Sequence, residues 1–193
     1  MKSFAQLLAV ILHPILIPFY SAALFYPLLL KYGDTSLILL CIWILFLHVV
    51  LPTIYLKTVK KINLSNPTIS EREIIYKTMY GLTVLVAIVA VVMFKEYRSF
   101  TLALFLCYVG LYVLAALKMK ASWHTAAWSL LFTSSLIVLY KYGFVNLEPK
   151  ILAIAMLLIL VYVIRLYQKA HKHFELLMGA ALGALSSSII FFI

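Results

Sequence analysis

His171 and Glu175 stand four residues apart, so on a helix they share one face. In that register the carboxylate can hold one imidazole nitrogen and leave the other free to attack an electrophile. Arg165 precedes them in the order R-x5-H-x3-E, and a second cluster reads Ser122-Trp123-His124. Ser122 falls where a helix N-cap is expected, so its hydroxyl and the amides that follow suit an anion at the helix N-terminus. His124, two residues on, is suited to protonating a leaving oxygen. Arg72 and Arg165 carry guanidinium groups that grip phosphate oxygens in pairs, which a lysine holds only as a point charge. Taken together, these residue types describe one polar pocket suited to an anion, with an oriented histidine beside it.

The elements that must position them are hydrophobic. The 193-residue chain is 66% hydrophobic and 11% charged, with a mean hydropathy of +1.10. Such a composition excludes a disordered chain and an ordinary soluble domain, and it predicts an all-α, polytopic transmembrane bundle. At roughly 20 residues per span the length accommodates six or seven spans in a single integral membrane domain, residues 1–193. A charged side chain at the membrane centre costs about 2.5–3.5 kcal/mol on insertion scales, so ionisable groups gather at span ends or line an internal cavity. The net charge of +10 is scattered through short connections, which favours a membrane surface and an anionic substrate over nucleic acid. Cys41 and Cys107 both fall in apolar runs and give no support to a disulfide framework or a zinc site. No metal or other cofactor is expected, because no carboxylate cluster has metal-ligand spacing.

Apolar runs bounded by charges and turn residues predict segments at about Phe4–Leu30, Leu37–Leu56, Ile74–Phe94, Phe100–Leu117, Trp123–Leu139, Ile151–Tyr167 and Phe174–Phe192. Pro14 and Pro18 break the first, which reads as a retained, kinked or re-entrant segment rather than a cleaved leader. The short Lys95–Arg98 connection predicts an antiparallel pair between the third and fourth. Two spans separate Arg72 from Ser122 and His124, and two more separate these from Arg165 and His171. All three groups therefore belong on one face of the membrane. Eleven of the sixteen Lys and Arg residues fall on that face. The positive-inside rule would turn it to the cytoplasm, but a phosphate site needs cations of its own, so the count leaves the facing side open.

The residues resemble the type 2 phosphatidic acid phosphatase superfamily, whose pattern is K-x6-R-P, then P-S-G-H, then S-R-x5-H-x3-D. Here the third element is Ile164-Arg165, five residues, His171, three residues, Glu175, with Glu in place of Asp. The second is Ala121-Ser122-Trp123-His124, without the Pro and Gly. The first is reduced to Arg72, with Ser65 at the lysine position and Glu73 at the proline. The early His13-Pro14 and Pro18, the Glu-Arg pair and the Ser-x-His are also similar to a divergent branch of small members common in Bacteroidetes. The resemblance implies that His171 attacks phosphorus, Glu175 orients it and His124 protonates the leaving group. It also implies that Arg72, Ser122 and Arg165 bind phosphoryl oxygens, without a metal. The expected substrate is a lipid phosphate or an isoprenoid (pyro)phosphate in the bilayer, and the expected location a bacterial inner membrane.

Other residues have plainer readings. His173 lies on a different helical face from His171, and Lys77 reads as a headgroup anchor. His48 and His13 sit in apolar runs, where His13 either lines the cavity or satisfies carbonyls freed by the prolines. Trp123, Tyr140 and Tyr167 read as an aromatic belt, and Gly179 and Gly183 as a close helix contact. The main competing function is a catalytically degenerate membrane subunit or lipid-binding scaffold within a membrane-protein complex. A channel or transporter has less support, since few charges lie within the spans and no inverted repeat is evident.

Overall fold

A computed structural model describes residues 7–8, 11–24, 42–62, 67–93, 98–142 and 148–192. The flanks of the predicted first segment, the start of the second, Ser65 and the turn at Lys95–Tyr97 lie outside these. Every regular element among the described residues is helical: α1 (Ile17–Leu24), α2 (Ile42–Val59), α3 (Ile69–Met93), α4 (Arg98–Ala116), α5 (Trp123–Tyr142), α6 (Glu148–Tyr167) and α7 (His173–Phe192). The helices α2, α4, α6 and α7 are long and apolar enough to cross a membrane, which marks a membrane protein. Leu152, Met156, Ile159 and Val163 of α6 are exposed at helical spacing, an outward apolar stripe suited to lipid.

The centre of the bundle is α5, buried without interruption over its first two turns. It runs parallel to α7 and is joined to it along its whole length. The Ser122 amide donates to the Glu175 carbonyl (3.0 Å), Thr125 Oγ1 to Leu176 (2.8 Å), Ser129 Oγ to Ala180 (2.7 Å) and Lys141 Nζ to Ile190 (3.0 Å). Ser187 Oγ returns a bond to the Leu130 carbonyl at 2.9 Å. Side chains reach the partner backbone because the two axes lie unusually close. A Cβ on Gly179 would meet the Ser122 carbonyl, and one on Gly183 the Ala126 carbonyl. The G-x3-G step of α7 is therefore the close contact expected from the sequence.

The predicted antiparallel pair is α3 with α4: Tyr80 packs edge-on against Phe105 and Tyr112, and Lys118 reaches Glu73 at 4.0 Å. In α2, Pro52 has no N–H to give the His48 carbonyl, and the ladder widens to π turns on both sides, Leu45–Val50 and Tyr55–Val59. The first segment is broken as its prolines require. A 3₁₀ turn, Pro14–Leu16, precedes α1, and the carbonyls left over are taken by side chains: Trp128 Nε1 donates to Leu12 (3.0 Å) and the Tyr20 hydroxyl to Ile11 (2.6 Å).

Gly183→Ala is expected to destabilise the fold by about 1–3 kcal/mol, because the colliding atom belongs to backbone that cannot rotate away. Gly81 has open space around its Cβ position, so Gly81→Ala should cause no loss. Thermal unfolding of both variants in detergent checks the contrast.

Candidate functional site

Four helix ends meet where the chain enters α3, α5 and α7 and leaves α6. Entry into α3 is set by a capping box, in which Glu71 Oε2 accepts the Thr68 amide (2.7 Å) and Thr68 Oγ1 the Glu71 amide (3.3 Å). This places Arg72 in the first turn. Its Nε donates to the Pro67 carbonyl (3.2 Å) and its Nη1 to the Ala121 carbonyl (3.5 Å), tying α3 to the start of α5. Ser122 caps α5 as predicted, its Oγ accepting the Thr125 amide at 3.4 Å.

The helix α6 ends in a Schellman turn: Lys169 donates to Leu166 and Ala170 to Arg165, with Lys169 left-handed at φ 52°. The sharp reversal brings Arg165, at the last turn of α6, beside His171 at the threshold of α7. Glu175, in the first turn of α7, gathers three groups on one oxygen. His171 Nδ1 is 2.7 Å from Oε2, Lys120 Nζ 3.7 Å and the Lys172 amide 3.4 Å. Lys120 also donates to the Ala170 carbonyl at 2.9 Å, pinning the α6–α7 turn.

His124, buried on the first turn of α5, lies within electrostatic reach of Arg72, Arg165, His171 and His13. The six residues singled out from the sequence, Arg72, Ser122, His124, Arg165, His171 and Glu175, thus come together at one end of the bundle. Ser122 differs in one respect: its oxygen is engaged as the helix cap, so only its hydroxyl proton remains to be offered to an anion.

Three residues read differently in the structure. Trp123 is not part of an interfacial belt; its ring is buried among His13, Tyr76 and Tyr108, whereas Tyr140 and Tyr167 are exposed. Lys120, unremarked in the sequence, belongs to the site, and its signal was its place two residues before the predicted cap. His13 packs against His124 with ring centroids 5.3 Å apart. The remaining candidates lie elsewhere. Lys77 is exposed, and His173 faces outward with Nδ1 3.0 Å from the Tyr162 hydroxyl. His48 donates from Nε2 to Thr83 Oγ1 (3.1 Å), three helical turns, about 16 Å, along α3 from Arg72.

The electrostatics are lopsided. Arg72 and Arg165 interact with each other, and among the described residues neither forms an ion pair with a carboxylate. Arg165 gives one hydrogen bond, from Nη1 to Gln168 Oε1 at 3.0 Å, and its buried Nε has no acceptor. Among the described residues Glu175 contacts Lys120 and His171, so the two guanidinium groups beside them add positive charge that no carboxylate there offsets. No group of His, Cys, Asp and Glu side chains suited to a metal ion occurs among the described residues. No family model matches the chain, and neither a curated protein nor a solved structure matches it.

Burial pushes the His171 imidazole down from 6.5 to about 4; the Glu175 hydrogen bond opposes this, and the charges of Arg72, Arg165 and Lys120 add to it. The ring is therefore neutral near pH 7, with Nδ1–H donated to Glu175 and Nε2 unprotonated. Since the folded-state value is the lower one, the stability linked to this group is present above about 6.5 and is lost as pH falls toward about 4. A ring-nitrogen NMR titration should find His171 uncharged until the pH approaches 4. Glu175→Gln removes the opposing influence and should shift that titration lower still.

Proposed function

We propose that this protein is an integral-membrane phosphohydrolase that acts through a phosphohistidine, in a six- or seven-span bundle like that of the type 2 phosphatidic acid phosphatases. One observation carries the reading: a histidine held by Glu175 at 2.7 Å stands beside two arginines that, among the described residues, have no carboxylate of their own. The fold is in keeping with it, because α3 and α5 pack alongside helices that are long and apolar enough to cross a membrane.

The phosphoryl oxygens lie against Arg72, Arg165 and Lys120, whose charge offsets that of the transferring group. His171 Nε2 attacks phosphorus as the bond to the leaving oxygen breaks; His124, which takes up a proton when the negative charge of the phosphate enters beside it, gives that proton to the leaving oxygen. Glu175 retains the Nδ1 proton of His171 and stabilises the charge that develops on the ring. Water then attacks the phosphohistidine, giving its proton back to His124, and inorganic phosphate leaves. The substrate is a lipid phosphate or an isoprenoid (pyro)phosphate whose apolar tail stays in the surrounding bilayer, and the host membrane is a bacterial inner membrane.

Lys120 bears on the degenerate-scaffold alternative. The superfamily's first motif loses its lysine to Ser65, but the site does not lack a third cation, since Lys120 supplies one from the α4–α5 connection. Purified protein should release phosphate from phosphatidate or an isoprenoid pyrophosphate in the presence of chelator. His171→Ala should abolish release, by at least about 10⁴-fold for loss of a nucleophile. Phosphate binding without turnover in the wild type would instead identify the scaffold, and release undiminished in His171→Ala would overturn the mechanism.

A further inference from the structure

The first segment brings an imidazole into the site that the proposed chemistry does not use. His13 sits at the N-cap of the Pro14–Leu16 turn, and its Nδ1 accepts the Ile15 amide at 3.3 Å. An acceptor nitrogen carries no proton, so in the neutral ring the proton resides on Nε2, across the ring from the cap. The cap thereby fixes the tautomer and turns a donor away from its own backbone.

That donor is not spent on the broken helix. Side chains of Trp128 and Tyr20 take the carbonyls of Leu12 and Ile11, and Leu16 takes that of His13 itself. The one hydrogen bond of the His13 ring among the described residues is the one at Nδ1, and the ring is partly exposed. Meanwhile the ring is held in place from two sides, edge-on to Trp123 at 5.4 Å and to His124 at 5.3 Å between centroids, and within electrostatic reach of Arg165. A half-buried donor wedged between the proposed leaving-group acid and a phosphate-binding arginine is a component of the anion site.

We propose that His13 is a further binding residue of this site, donating from Nε2 to an oxygen of the bound phosphate on the His124 side, opposite the His171 nucleophile. The proposal rests on the phosphate-site reading given above. It assigns a purpose to the proline-broken first segment: a continuous helix would engage the Ile15 amide in its own ladder, and the tautomer would no longer be set.

Two substitutions separate binding from capping. Asparagine places its amide near the Nδ1 position, so His13→Asn keeps the cap acceptor and loses the distal donor. Glutamine reaches the Nε2 position, so His13→Gln keeps the donor and loses the cap. The probe is inorganic phosphate titrated into the purified full chain in detergent, with thermal unfolding measured on the same samples. His13→Asn should leave the unfolding temperature unchanged and weaken phosphate binding by about tenfold or more, as expected for a hydrogen bond to a charged group. His13→Gln should bind phosphate within about threefold of wild type while unfolding earlier. His13→Asn that binds like wild type, or His13→Gln that binds as weakly as His13→Asn, overturns the assignment. If wild-type binding falls in Arg165→Ala but not in His13→Asn, the assignment fails alone. Absence of phosphate binding in the wild type removes it together with the proposed function.

Discussion

The parallel contact between α5 and α7 is the interaction on which the rest of the structure depends. Serine and threonine side chains of one helix donate to backbone carbonyls of the other from Thr125 to Ser187, which is possible only because Gly179 and Gly183 allow the axes to approach. In a membrane there is no hydrophobic drive to bring two helices together, so association relies on packing and interhelical hydrogen bonds. The parallel direction matters as much as the closeness. It sets the first turn of α5 beside the first turn of α7, and the Ser122 amide bonded to the Glu175 carbonyl locks the register. His124 and His171, 47 residues apart in the chain, share one end of the bundle because of it.

Much of this was legible in the sequence. The apolar runs predicted the helices, and their number between motif residues predicted that Arg72, Ser122, His124, Arg165 and His171 would share a face. Parity is robust because it counts crossings and does not need their contacts. What stayed hidden was lateral proximity. Trp123 at a span end has the composition of a belt residue, and only the packing of the first segment, α3 and α4 around it turns it into an interior wall. Lys120 is one basic residue among sixteen until the Schellman turn after α6 presents the Ala170 carbonyl to it. The capping box at Thr68–Glu71 was in plain view, and it would have fixed the start of α3 at Ile69, three residues before Arg72.

Lysines, not glycines, occupy the left-handed positions that end α2, α4 and α6: Lys61, Lys118 and Lys169. A left-handed conformation costs a residue with a side chain roughly 1–2 kcal/mol, which glycine avoids. All three ends lie on the site face, where each lysine sets a positive charge close to the exposed helix carbonyls. All three side chains are exposed, and that of Lys118 reaches Glu73 at 4.0 Å.

The cationic excess of Arg72, Arg165 and Lys120 around His171 accounts for two properties that would otherwise conflict. A phosphate site needs positive charge, and a histidine nucleophile must not carry any. Burial and the charges of Arg72, Arg165 and Lys120 hold His171 neutral, and they do so with the groups that would grip the phosphoryl oxygens. Glu175 works in the opposite sense on the ring, and its restraint is divided, since the oxygen that accepts His171 Nδ1 also faces Lys120 and the Lys172 amide. That oxygen orients the ring, while the charge of Lys120 beside it opposes protonation of the imidazole. A carboxylate without those competitors would favour the imidazolium, which has no lone pair on Nε2. The third cation near Glu175 thus works against protonation of the same ring that the carboxylate orients.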